Sequence, residues 1–197
     1  MNNIKKTIRQ INAQLPDEDN SSKVIGFVTP GSRSAQQTIV ANLAIMYGQA
    51  GDATLIIDTD FGSTVFSETF NLNNKIGVSD FLNNRSVNVE NIISQIPSQN
   101  VSLISSGTLK KNETSYLLGD PRFNVLVNEL IDKYDKILIN TSVMTKYDSI
   151  ANELKMVDGV ILVVNSEETK KKQMFKLMQS LHKQQVKVLG YINAKRN

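Results

Sequence analysis

The chain has 197 residues, of which 40% are hydrophobic and 21% charged, as in an ordinary globular domain. It has no cysteine, which excludes disulfides, thiolate catalysis and cysteine-ligated metal sites. The net charge of +3 is too small to indicate nucleic-acid binding. No apolar run approaches the ~20 residues that span a membrane, and no signal-peptide cleavage pattern is present, so we expect a cytoplasmic protein.

Six apolar runs rich in β-branched residues predict strands that are buried on both faces. They cover residues 24–29, 54–60, 101–107, 136–141, 159–165 and 187–193. Helical patterns lie between most of them, over residues 36–50, with Gly51 as the C-cap, and over residues 122–134 and 167–185. The apolar residues of the last helix are all expected in the core: Met174, Leu177, Met178 and Leu181. Strands alternating with helices predict an α/β fold with a mainly parallel sheet and helices on both faces.

The polar stretch 16–22 separates the start of the chain from the first predicted strand. We therefore predict an N-terminal helix or arm over residues 1–20 and a single domain over residues 21–197. The asparagine-rich stretch 71–99 is expected to leave the sheet as a surface excursion. It contains two short helical patterns, around residues 78–82 and 89–96.

Positive charge is concentrated at the end of the chain. Residues 166–197 hold seven Lys and one Arg against two Glu, a net charge of +6. We favour a solvated helix face as the interpretation. The alternative is a surface for an acidic partner, or for a membrane reached through a partner.

Polar residues follow several predicted strands, where ligands bind in sheets of this kind. The positions concerned are the loop after Thr29 and the residues Asp58, Asp60, Asn140, Asn165 and Asn193. Aspartates at strand ends also cap the helix that follows, so a purely structural role for Asp58 and Asp60 is the alternative to a site.

Seven segments, in this order, resemble the bacterial tyrosine kinases of capsule and exopolysaccharide biosynthesis (BY-kinases), within the MinD/ParA-like branch of P-loop ATPases. The segments are ANLA (41–44), LIIDTDFGST (55–64), IGVSDFL (76–82), SSGTLKKNETSYLL (105–118), YDKILINTSV (134–143), DGVILVV (158–164) and VLGYIN (188–193). The resemblance implies a P-loop NTPase-like, three-layer sandwich. It also implies ATP and Mg²⁺ as cofactors and, at Asp58 and Asp60, metal binding and transfer chemistry.

The phosphate loop departs from the family. Aligned on ANLA, it falls on Arg33, Ser34, Ala35, Gln36, Gln37 and Thr38. Arg33 and Ala35 replace glycines that let successive N–H groups turn toward phosphates. Gln36 replaces the lysine that offsets phosphate charge, and Gln37 the hydroxyl ligand of Mg²⁺. Asn140 replaces a later aspartate, which in the family orders the magnesium and its waters.

No alignment restores the site in full. A register moved by one supplies the hydroxyl of Thr38, but Gln37 then replaces the lysine. Arg33 keeps a positive charge at the helix N-terminus, where an anion can still be attracted. Asn140 and Asn193 remain as candidate cofactor-binding positions. We therefore expect ATP and Mg²⁺ binding to be weak or absent, and efficient phosphoryl transfer to be lost.

The leading hypothesis is a cytoplasmic BY-kinase-like protein with impaired or lost tyrosine kinase activity. It would regulate polymer assembly through a membrane adaptor of the chain-length type or an intact kinase paralogue, at the inner face of the membrane. An active, autophosphorylating tyrosine kinase is one alternative, and a MinD/ParA-like positioning ATPase is another.

An N-terminal helix joins subunits in this family through an ExxRxxR pattern. At that spacing this chain has Asn3, Lys6 and Arg9, so the two basic residues are kept and the acidic one is replaced. The resemblance implies a homo-oligomer formed through Lys6 and Arg9. A solvated helix is the alternative, because the acidic half of the ion pair between subunits is missing.

Overall fold

The computed structural model describes residues 23–109, 114, 117–143, 153–165 and 169–194. In this part of the chain seven strands form one sheet: β1 Val24–Val28, β2 Thr54–Asp58, β3 Ile93–Gln95, β4 Val101–Ile104, β5 Lys136–Asn140, β6 Gly159–Val164 and β7 Val188–Asn193. Their order across the sheet is β3-β4-β2-β5-β1-β6-β7. β3 runs antiparallel to β4, and all other neighbouring pairs are parallel. The mainly parallel sheet and its six predicted strands are confirmed.

Helices cover both faces of the sheet, as predicted. They are α1 Arg33–Ala50, α2 Val65–Thr69, α3 Val78–Asn83, α4 Val89–Ile92, α5 Arg122–Ile131 and α6 Lys171–Lys183, with 3₁₀ turns at Leu117–Gly119 and Glu153–Met156. One face packs against α1 and α2, and the opposite face against α3 to α6. Gly51 ends α1 in the left-handed conformation with φ 107°, a backbone that glycine adopts without strain. The result is a three-layer sandwich.

The helix predicted around residues 89–96 is wrong in its second half. Only Val89–Ile92 is helical, and the next three residues form β3, with Ile93 opposite Ile104. Backbone pairing with the open edge of β4 decides the conformation here. This tertiary contact leaves no trace in local periodicity.

Two expectations of burial are also wrong. Met178 is 40% exposed, whereas Leu177 and Leu181 on the same helix are buried. The buried stripe of α6 is narrower than the apolar pattern suggested. β7 is an edge strand of the sheet and not a doubly covered one, so Tyr191 is 73% exposed.

The stretch 71–99, expected from the sequence to leave the sheet as a surface excursion, instead supplies β3 to the sheet and buries Phe81 and Ile92 in the core. It is also bound to the loop after β4. The carboxylate of Asp80 accepts hydrogen bonds from the backbone N–H groups of Gly77 and Thr108, both at 2.9 Å, and from the Thr108 hydroxyl. A Cβ on Gly77 would overlap the carbonyl oxygen of Ser105. The stretches 76–82 and 105–108 are therefore held against each other beside the strand ends, and we call this contact the clamp.

Residues 1–20, including Lys6 and Arg9, lie outside the described residues, and their predicted arm stays a prediction. None of the helices in the described part of the chain is long and apolar enough to cross a bilayer.

Candidate functional site

The predicted site residues meet where β1, β5 and β2 end. These strands are neighbours, and the register pairs Asn140 with both Phe27 and Asp58. The loop into α1 follows β1 and brings Arg33 and Gln36 to the same edge of the sheet. Asn193, by contrast, ends β7, which is separated from β1 by β6. The axes of β7 and β1 are therefore about 10 Å apart across the sheet.

The backbone of the loop after β1 differs from that of a phosphate cradle. Such a cradle needs successive N–H groups pointing inward, usually with a positive φ along the loop. From Thr29 to Thr38 no residue has a positive φ, Gly31 included. The N–H groups of Gly31 and Ser32 point back to the Thr29 hydroxyl oxygen, at 3.3 and 2.9 Å. Two donors of the loop are thus used within the loop itself.

Gln36, at the position of the expected lysine, is buried in the first turn of α1. Its Nε2 donates to Asn140 Oδ1 at 2.9 Å and to the carbonyl oxygen of Thr141 at 2.7 Å. Its Oε1 is also buried and has no hydrogen-bond partner among the described residues. The side chain therefore joins α1 to the end of β5 and points into the protein.

Asn140 continues the chain of contacts to Asp58. Its Nδ2 donates to Asp58 Oδ1 at 2.8 Å, and the N–H of Asp60 donates to the same oxygen at 3.1 Å. Burial raises the pKa of Asp58 from 3.8 to about 7, although these two hydrogen bonds favour the carboxylate. Burial therefore favours the protonated form of Asp58 relative to that of an exposed aspartate.

Asp60 is held by Arg33 in an ion pair. Arg33 Nη2 donates to Asp60 Oδ1 at 2.9 Å, and Arg33 Nε lies 2.8 Å from Asp60 Oδ2. This two-point geometry is the strong form of a guanidinium–carboxylate contact. The Arg33 side chain is 43% exposed and that of Asp60 is buried, so the ion pair closes over the aspartate.

The remaining residues of the predicted loop are used by the fold. Gln37 Nε2 donates to Ser63 Oγ at 2.9 Å. The Thr38 hydroxyl donates to the carbonyl oxygen of Ser34 at 2.8 Å, one turn back in the same helix. Ala35 packs against the core beneath α1. The hydroxyl considered for Mg²⁺ is therefore bonded along its own helix.

The acidic residues at this edge are few. Within the described residues, no three His, Asp or Glu side chains come together in a way that could hold a metal ion. Asp58 and Asp60 are adjacent, but Asp58 is bonded to Asn140, and Asp60 is paired with Arg33. Each of these residues is visible in the sequence, but their pairing depends on strand register and could not be predicted from it.

Comparisons with known proteins show similarity to bacterial tyrosine-protein kinases. No family model matches it. It is 26% identical over 187 residues to the tyrosine-protein kinase YwqD of Bacillus subtilis, covering 95% of this chain and 78% of YwqD. It is 28% identical over 171 residues to the tyrosine-protein kinase CpsD of Streptococcus pneumoniae, covering 86% of this chain and 74% of CpsD.

Solved structures agree with these relatives. The chimerical protein CapA2B2 superposes with a TM-score of 0.83 at 27% identity, over 98% of this chain and 85% of that one. The cell division ATPase MinD of Pyrococcus furiosus gives a TM-score of 0.71 at 23% identity, over 87% and 71%. The predicted P-loop NTPase-like sandwich is confirmed.

Proposed function

We propose that this chain, a homologue of the bacterial tyrosine kinases (BY-kinases) within the MinD/ParA-like P-loop fold, regulates polysaccharide assembly with impaired or lost kinase activity. The observation that supports this most is the closed network at the strand ends. Gln36, Asn140 and Asp58 bind one another, and Arg33 binds Asp60. Each of these side chains is thus bonded to another side chain of the protein at the edge where a nucleotide would be expected.

Phosphate binding lacks its usual supports. A cation in contact with a phosphate is worth roughly 4 kcal/mol at an effective dielectric near 20, which is about a thousandfold in rate. Gln36 is neutral and buried, so it supplies no such charge. Arg33 is charged but engaged with Asp60, and releasing it would break the ion pair of a carboxylate that stays buried.

Magnesium binding lacks its usual ligands. The ion prefers oxygen ligands from carboxylates, hydroxyls and water in a near-octahedral arrangement. Gln37 donates to Ser63, and Asn140 presents its amide N–H to Asp58. The residues present do not fit a magnesium-bound nucleotide held in the usual P-loop way, so no catalytic step is assigned to them.

The regulatory role is part of the proposal and is inferred from the resemblance to the kinases of capsule and exopolysaccharide biosynthesis. We propose that the chain acts through a membrane adaptor of the chain-length type or through an intact kinase paralogue. A protein that keeps the fold and has lost turnover can still occupy the kinase's binding surfaces. The arm at residues 1–20, with Lys6 and Arg9, is the proposed site of homo-oligomer contacts.

Nucleotide binding is tested by isothermal titration with ATP and Mg²⁺, together with transfer of radiolabelled phosphate. The wild-type chain is expected to show no micromolar affinity and no incorporation into itself or a tyrosine-bearing partner. The triple variant Gln36→Lys, Gln37→Ser and Asn140→Asp serves as a repaired control and is expected to gain affinity. Micromolar affinity with turnover in the wild type would contradict the proposal.

The regulatory part has its own test. Autophosphorylation of an intact BY-kinase is measured with and without a stoichiometric excess of this chain, with serum albumin as the control protein. We expect the rate or extent of phosphorylation to change. An unchanged time course would remove the kinase-partner form of the hypothesis.

One observation favours an active kinase as the second candidate. Asp58 lies at the end of β2, and burial raises its pKa to about 7, toward the range that suits a general base accepting a proton from a hydroxyl. An active enzyme would incorporate phosphate, and Asp58→Asn would abolish that incorporation. The positioning-ATPase alternative requires nucleotide-dependent binding to lipid, which a sedimentation assay measures directly.

A further inference from the structure

The outer layer formed by α6 and β7 carries positively charged side chains and no negatively charged ones. Residues 169–194 contain six lysines and no aspartate or glutamate. All six lysines are exposed: Lys170, Lys171, Lys172, Lys176, Lys183 and Lys187. A surface of this kind attracts anions over its whole length, and α6 alone is about 20 Å long.

An exposed aromatic side chain lies among these lysines. Phe175 is 63% exposed. At 100° per residue it lies about 200° around α6 from the buried Leu177, so it points away from the core. Lys171, Lys172 and Lys176 are within one turn of it. The outer face of α6 is therefore basic, with one large apolar side chain among its lysines.

Tyr191 is a second exposed aromatic side chain on the side of the sheet that α6 covers. In the register of β6 and β7, Tyr191 is opposite Leu162, which packs in the cluster beneath α6 with Leu177. Tyr191 thus stands on the face of the sheet that α6 covers, at the open edge, and is 73% exposed. Amphipathic aromatic rings of this kind are enriched where proteins meet the headgroup layer of a membrane.

We propose that the outer face of α6, together with Tyr191, binds directly to the surface of a bilayer that contains anionic lipids. The lysines would meet the headgroups, and Phe175 would enter the boundary with the acyl chains. The surface is the convex outside of a helix, which a flat bilayer covers without a complementary groove. A second copy of the chain would bring the same six lysines and repel.

This contact goes beyond the proposed function, in which the membrane is reached through a partner. None of the residues involved belongs to the strand-end network of Arg33, Gln36, Asp58, Asp60 and Asn140. Lipid binding should therefore not depend on ATP or on any substitution in that network. Binding of the chain to vesicles that contain lipid only, with no adaptor protein, would show that the contact with the membrane is direct.

The test is sedimentation of the full chain with vesicles of phosphatidylcholine alone or with about one-third phosphatidylglycerol, at low and high salt. We expect binding to the anionic vesicles only, weakened by salt. Each lysine at an anionic surface contributes about fivefold to partitioning, so Lys172→Gln with Lys176→Gln should weaken binding about 25-fold. Phe175→Ser should weaken it about tenfold, since the ring no longer leaves water.

Matched controls lie on other elements. Lys75→Gln with Lys133→Gln removes the same charge from exposed positions elsewhere, and Val125→Ser removes an exposed apolar side chain from α5. Both are expected to change binding less than twofold, and circular dichroism confirms that all variants fold. Equal binding to neutral vesicles, no binding to anionic ones, or equal losses in variants and controls would overturn the proposal. Binding to polyglutamate without binding to vesicles would assign the surface to an acidic protein and overturn it as well.

Discussion

The substitution Asp58→Asn should make the protein more stable above neutral pH. Both hydrogen bonds to Asp58, from Asn140 Nδ2 and from the N–H of Asp60, end on Oδ1. The side-chain oxygen of asparagine can accept the same two bonds at the same place. The substitution therefore removes a charge that is costly to bury while keeping the contacts.

The magnitude follows from the pKa of Asp58, which burial raises from 3.8 to about 7. Between these two values the folded state binds more protons than the unfolded state, so the free energy of unfolding falls as pH rises. The contribution of Asp58 to the free energy of unfolding is fully present below pH 3.8 and is lost as the pH rises through about 7. About three pH units at about 1.4 kcal/mol each give a loss of about 4 kcal/mol.

The assay is urea unfolding of the wild type and Asp58→Asn at a series of pH values from acid to mildly alkaline. In the variant the free energy of unfolding should not show the decline with pH that is due to Asp58. It should exceed that of the wild type by an amount that grows toward about 4 kcal/mol above pH 7. Asp132→Asn, which removes an exposed carboxylate and leaves Asp58 in place, is the control and should keep the decline due to Asp58. Parallel pH profiles for the wild type and Asp58→Asn would refute the reasoning, because they would show that Asp58 is ionised at no cost in the folded protein.

Two further predictions concern the ion pair and the clamp. A double-mutant cycle of Arg33→Ala and Asp60→Ala, measured by urea unfolding, should give a coupling free energy of about 1–2 kcal/mol. Burial of the aspartate strengthens the ion pair, whereas exposure of the guanidinium weakens it. Additive losses of stability in the two single variants would contradict the pairing. Gly77→Ala should lower the free energy of unfolding by more than about 2 kcal/mol, because its Cβ would overlap the carbonyl oxygen of Ser105. Gly31→Ala is the matched control, since no atom lies within 4 Å of a Cβ there; equal effects of the two substitutions on thermal unfolding would argue against the clamp.

Much of the architecture could be read from the sequence. Continuous apolar runs such as those at β1 and β5 are typical of strands covered on both sides, and their alternation with helices predicted the parallel sheet. The strand β3 and the exposure of Tyr191 were not predicted, because both depend on which strands lie at the edges of the sheet. Edge position is set by strand order, and no local pattern encodes it.

The candidate site divides in the same way. The sequence by itself predicted where a phosphate loop would lie, and it has Gln36 and Asn140 where the resemblance implies a lysine and an aspartate. Only the tertiary structure decided that Gln36, Asn140 and Asp58 bind one another and that Arg33 closes on Asp60. The physical reason is that Asn140 is 104 residues from Gln36 and 82 from Asp58 along the chain. Their hydrogen bonds exist because β5 is inserted between β1 and β2, in the register that brings these strand ends together.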